Sequence, residues 1–254
     1  MILRVLRKLL QPSRLDEYRE IIELALQSGY RITSLADWYN HNFYEGEKVL
    51  VLRHDVDLLP FTAWKMFLLE KELGVKSTFY FRWLTEDAAI INKIKAEGFE
   101  VSLHFETLAT YCKQNRIFRK EDVTDAVMGN CLNILKEEIT RFESRYGKIQ
   151  TLCSHGDKRN RVLGLQNHKI MEHVSRKGLG IAFETYDPDI KSRFENYISD
   201  SSINEKHQWK YGTTPKEAIA KGSQSICLLT HPHHWYYNPL LNVKRLIVEY
   251  LDNR

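Results

Sequence analysis

The sequence predicts an α/β protein in which strands alternate with helices, and three observations indicate this class. Apolar runs of strand length recur between segments of helical periodicity along the whole chain. No Pro-, Gly- or Ser-rich linker interrupts the 254 residues, so the alternation belongs to one domain. The apolar runs finish in ionisable residues, as parallel strands do where their carboxyl ends carry chemistry. Strands joined through helices pair in parallel, and so many units in an unbroken domain favour a barrel over an open sheet.

Residues 1–47 read as an extension packed on that domain, over 1–254. Met1 to Leu10 mixes Arg4, Arg7 and Lys8 with leucines, which excludes the apolar core of a signal peptide. Its Leu3, Leu6, Leu9 and Leu10 form one helical face, suited to packing on the domain or to weak membrane contact. Leu15 to Ser28 is predicted helical and stops at Gly29. A short strand over Tyr30 to Ile32 and a Ser34-capped helix through Trp38 complete the extension.

The strand from Val49 reads Val-Leu-Val-Leu-Arg-His-Asp-Val-Asp and ends in His54, Asp55 and Asp57. Pro60 then opens a helix that closes at Gly74. Ser77 to Arg82 is the next strand, Glu86 to Ala96 a helix and Phe99 to His104 a strand. Lys120 to Tyr146 follows as a long helix with Val123, Val127, Leu132, Leu135, Ile139 and Phe142 inward. Ile149 to Ser154 is a strand, Lys169 to Lys177 a helix, and Gly180 to Glu184 and Tyr197 to Asp200 are short strands. Pro215 to Ala220, Ser225 to Thr230 and Leu240 to Leu251 close the chain as helix, strand and helix.

The formal net charge of +4 is spread along the sequence, so no nucleic-acid stripe stands out, while an anionic substrate remains open. Cys112, Cys131, Cys153 and Cys227 show no paired motif and fit a reducing, cytoplasmic compartment. The predicted strand ends carry Asp55 with Asp57, Arg82, His104 with Glu106, His155 with Asp157, Asp200, and His231 with His233 and His234. Strand alternation puts Asp55 and Asp57 on one side, where like charges need a proton, an Arg or a metal. Satisfaction by Arg53, His54 and solvent is the plain alternative. One Asp oxygen and two imidazole nitrogens suit zinc or a similar divalent ion. His231, ahead of Pro232, suits a general acid, and Trp235 suits a wall for a sugar ring or acyl group. Asp200 suits an orienting or substrate-binding role, with a plain turn residue as the alternative, and His233 and His234 read as solvated loop residues.

At these residues the chain resembles the polysaccharide deacetylases, a carbohydrate esterase family with a distorted (β/α)7 barrel and a divalent metal. The resemblance covers about Val49 to Trp235 and is nearest to a branch of surface-polysaccharide and lipopolysaccharide biosynthesis proteins. It implies Asp55 as catalytic base, Asp57 and His104 as metal ligands and His231 as the histidine of the final motif. In this chain Val56 separates two acids that are adjacent in the family, which leaves their roles exchangeable. Leu108 stands where the family has its second metal histidine, and Ser154-His155-Gly156 where it has an Arg and a Pro. His155 is therefore expected as the replacement ligand beside Asp57 and His104.

The expected activity is metal-dependent removal of an N- or O-linked acetyl or acyl group from a nucleotide-linked or lipid-linked sugar. Arg82, Asp200 and Trp235 are the expected substrate contacts, and zinc the expected ion, with cobalt, nickel or iron as substitutes. Two other classes compete: a manganese-dependent Asp-x-Asp glycosyltransferase, against which the histidines argue, and a non-catalytic glycan-binding or assembly protein on the same fold.

Overall fold

A computed structural model describes residues 11–42, 44, 46–202 and 209–252. The amphipathic stretch Met1 to Leu10 lies outside them. In chain order the helices and strands are α1 (Leu15–Gln27), β1 (Arg31–Thr33), α2 (Leu35–Asn40), β2 (Val49–Val56), α3 (Pro60–Glu72), β3 (Thr78–Phe81), α4 (Ala88–Ala96) and β4 (Glu100–Phe105). They continue with α5 (Thr107–Gln114), α6 (Asp125–Tyr146), β5 (Thr151–Ser154), α7 (Lys158–Leu163), β6 (Phe183–Glu184), α8 (Pro188–Lys191), β7 (Asn196–Ser199), α9 (Pro215–Ala220), β8 (Ser225–Thr230) and α10 (Pro239–Asp252). The α/β class holds, with parallel strands and helices between them as a (β/α) barrel of the expected kind requires. The chain forms two compact units, residues 1–101 with 192–254, and residues 102–191. Among the described residues no helix is long and apolar enough to cross a membrane.

In the first unit β2 is buried along its whole length. It pairs in parallel with β8 from Val49↔Ser225 to His54↔Thr230, and with β3 from Arg53↔Thr78 to Val56↔Phe81. The β1 strand takes the first half of the β3 side, and β7 continues the sheet beyond β8. Flanked on both sides and covered on both faces, β2 reads as a nearly unbroken aliphatic run. Leu50 and Leu52 face a core formed with Tyr18, Ile21, Ile22 and Ala25 of α1 and Met66 and Leu69 of α3. At this unit's far edge the Glu100 amide of β4 donates to the Ser77 carbonyl at 3.2 Å.

In the second unit β4, β5 and β6 are parallel, with His104 opposite Cys153 and Leu152 opposite Glu184. The long helix begins later than expected, at Asp125, because Thr124 accepts the Val127 amide as its cap, and Lys120–Asp122 is a separate 3-10 turn. Its buried face is Cys131, Leu135, Ile139, Phe142 and Tyr146. The helix expected over Lys169 to Lys177 is replaced by two 3-10 turns, Asn167–Met171 and Lys177–Leu179. Burial of Asn167, Ile170 and Met171 in a single 3-10 turn gives the apolar spacing that imitates an α-helix.

Candidate active site

The end of β2 sets the first group. Arg53 and Asp55 share a strand face, and Arg53 grips both carboxylate oxygens, Nε to Oδ1 at 2.9 Å and Nη2 to Oδ2 at 2.8 Å. Both side chains are buried, and Nη1 of the same guanidinium donates to the Tyr197 hydroxyl at 3.0 Å. The plain alternative for the acid pair is thus half realised: Arg53 neutralises Asp55. His54 takes the other face and enters a closed polar cluster. Its Nε2 meets Glu70 Oε1 at 2.7 Å and its Nδ1 meets Thr230 Oγ1 at 2.7 Å. Tyr18 and Ser77 each donate a hydroxyl to Glu70, at 2.6 Å.

Asp57 lies just past the strand, where its amide folds back onto the Asp55 carbonyl at 3.0 Å. Leu59 follows in the left-handed region with φ of 50°, an uncommon state for a branched residue. Arg82 is buried and donates from Nη1 to the Asp57 carbonyl at 3.0 Å. It therefore braces the acid's backbone.

Asp57 Oδ2 lies 3.6 Å from His231 Nε2. On the other side of that ring, His231 Nδ1 bonds Asp200 Oδ1 at 2.5 Å, and the His231 amide reaches Oδ2 at 2.9 Å. Burial opposes charge on both groups, yet their mutual attraction prevails: His231 is pushed up to about 9, and Asp200 is held far below the usual carboxylate range by the His231 and His234 rings. Asp200 is fully buried and orients a partner, the first of its two expected roles. Trp235 donates its indole N–H to Asp200 Oδ2 at 2.8 Å and is itself 0% exposed, so it forms no wall for a ligand. Helix α1 and Trp209 cover the ring instead. His233 and His234 are not solvated either. His233 is buried, which with the adjacent His234 ring pushes its pKa well below the ordinary value, and His234 Nδ1 stands 3.3 Å from Asp200. Asp200, His231 and His234 are near enough together to hold an ion, but the carboxylate is committed to hydrogen bonds.

In the second unit the β4 and β5 ends bring His104 and His155 together, their rings 5.1 Å apart and edge-to-face. His104 Nδ1 meets the Cys153 carbonyl at 3.1 Å, and His155 Nδ1 meets Glu106 Oε2 at 3.1 Å. A carbonyl and an ionised carboxylate only accept, so each ring donates from Nδ1, which in a neutral imidazole leaves the lone pair on Nε2. A carboxylate or carbonyl behind each ring is the usual support of a metal-ligating imidazole, and this donor set fits a divalent ion. Asn167 holds the His155 carbonyl at 2.6 Å, while Lys113 pairs with Asp157 at 2.6 Å. Leu108, at the missing histidine's position, is fully buried in α5.

Solved structures similar to this chain include deacetylases and a CE4 family pseudoenzyme. The catalytic domain of a peptidoglycan N-acetylglucosamine deacetylase from Eubacterium rectale is 12% identical, with 84% of this chain and 89% of that one covered and a TM-score of 0.46. The polysaccharide deacetylase Bc1974 from Bacillus cereus is 18% identical over 80% of this chain and 89% of its own, with a TM-score of 0.43. BA3943, a family 4 pseudoenzyme from Bacillus anthracis, is 13% identical over 81% of this chain but only 63% of its own length, with a TM-score of 0.42. No protein-family model matches the sequence, and no curated protein does.

Motif reading named Arg53 as a partner for the acids and placed Glu106 at a strand end, but gave neither a role in the site. The first was visible two residues before Asp55, on the same strand face. Glu106 carried the weaker signal of an acid two residues beyond a strand-end histidine.

Proposed function

We propose that the protein is a zinc-dependent deacylase that removes an N- or O-linked acetyl group from a nucleotide-linked or lipid-linked sugar in cell-surface glycan synthesis. Asp57, His104 and His155 are the proposed ligands, with Asp55 as base and His231 as acid. The observation that carries this reading is the pair of imidazoles, His104 and His155, adjacent and each held through Nδ1. A divalent ion held there supplies Lewis acidity and water activation. The Arg53 clamp favours the ionised form of Asp55, the form that takes a proton from water. His231, protonated beside Asp200, gives its proton to the departing amine or alcohol.

Elemental mass spectrometry on freshly purified protein tests the metal, beside Asp57→Ala, His104→Ala and His155→Ala. Near-stoichiometric zinc, cobalt, nickel or iron in the natural chain and its loss in all three variants support the triad. Acetate release from acetylated sugars then tests the chemistry, with Asp55→Asn expected to retain metal and lose turnover. A fully active Asp55→Asn protein overturns the role of the base.

One observation favours a second reading. A carboxylate held bidentately by a buried guanidinium is a weak base, which suits a glycan-binding protein without turnover. That reading predicts glycan binding without acetate release.

A further inference from the structure

We propose that Trp235 is a positioning residue for the Asp200–His231 pair, and that α1 with the two residues before it holds Trp235 in place. The proposal rests on the reading of His231 as the general acid. A buried carboxylate can swivel about its last side-chain torsion, and it aims one oxygen at an imidazole only while the other is fixed. Here Oδ1 of Asp200 meets the His231 ring, and Oδ2 is fixed by the Trp235 indole N–H at 2.8 Å and the His231 amide at 2.9 Å, with His234 Nδ1 farther off at 3.3 Å. Of these fixings only the indole comes from a side chain outside the histidine segment.

The indole is in turn clamped from the N-terminal side. The Arg14 amide donates to the Trp235 carbonyl at 2.7 Å, and the Ser13 hydroxyl donates to the same oxygen at 3.2 Å. The Arg14 guanidinium lies over the ring at 4.7 Å from its centroid, and the Tyr18 ring packs at 5.5 Å. A tryptophan that only filled space would need neither a charged acceptor for its N–H nor two donors on its carbonyl. These contacts fix both ring plane and backbone, which are the coordinates that decide where an indole N–H points. Residues 13–18 therefore act on a histidine more than two hundred positions away in sequence.

Nuclear magnetic resonance of the full-length, as-purified chain tests this without a substrate. The Nδ1 proton of His231, assigned by its loss in His231→Gln, is expected far downfield and protected from exchange in the natural protein. Trp235→Phe keeps a ring and deletes the N–H, and is expected to broaden or abolish that signal while circular dichroism is retained. Tyr18→Phe keeps the ring against Trp235 and is expected to leave the signal in place although it weakens the fold. An unchanged, protected signal in Trp235→Phe overturns the proposal. Should that variant unfold, the indole N–H of the natural protein decides: its resonance shifts in Asp200→Asn if the proposal holds, and stays fixed if it fails. With a substrate in hand, Trp235→Phe is expected to lower kcat about tenfold with KM within about twofold. A chain that releases no acetate from any sugar removes the general-acid assignment alone and leaves the resonance result standing.

Discussion

Arg53 and Asp55 form a pair in which both partners are out of water, so the cost of breaking it is set by the charge left behind. Arg53→Gln is expected to destabilise the protein by about 3–5 kcal/mol in urea unfolding, and Arg53→Leu combined with Asp55→Leu to recover much of that loss. The Asp200–His231 pair gives a pH signature in stability. With the His231 pKa raised from 6.5 to about 9, its contribution is complete below pH 6.5 and disappears as pH rises through about 9. Asp200, depressed in the folded state, contributes above its ordinary 3.8 and loses that contribution as pH falls below it. Urea unfolding of metal-free protein from pH 6 to 10 is expected to show the alkaline loss, and Asp200→Asn to flatten it. At this scale the sequence disclosed which residue types end the strands, because strand ends follow from apolar runs. It did not disclose the contact of Trp235 with Asp200, since Trp235 differs from an ordinary loop residue only in what the fold sets beside it.

Strand β2 joins these pairs, and its two faces do different work. One carries Arg53 and Asp55, and the other carries His54 into the cluster with Glu70, Tyr18, Ser77 and Thr230. That cluster ties α1 and α3 to β2, β3 and β8 through one fully buried carboxylate. Tyr18→Phe and Ser77→Ala each remove one donor from Glu70 and are expected to cost about 1.5–3 kcal/mol each in equilibrium unfolding. The periodicity of α1 and the unbroken run of β2 were legible, because each buries a long apolar face. The short helices α5, α7 and α8 were not, since a helix of two turns or fewer gives periodicity too little length to register. Their termini depend on local hydrogen bonds instead, such as the Asp157 cap on the Arg159 amide at 2.6 Å.

For the molecule as a whole, metal binding and folding are linked, because a ligand that binds only the folded chain stabilises it in proportion to the logarithm of its excess over Kd. Zinc at a hundred times Kd adds about 2.7 kcal/mol, which for a chain of this length is a rise in Tm of roughly 5–10 °C. Chelation of the purified protein is expected to lower Tm by that amount and zinc to restore it, as read by calorimetry. His155→Ala is expected to melt at the same temperature with zinc or with chelator, since it lacks one proposed donor. Glu106→Gln separates ligand from support: it keeps the His155 ring but weakens the acceptor behind Nδ1, and metal affinity is expected to fall about 10- to 100-fold while folding of the zinc-free chain is little changed. If Glu106→Gln bound zinc as tightly as the natural chain, the His155–Glu106 contact would be a surface ion pair, and the histidine's role as replacement ligand would lose its physical basis.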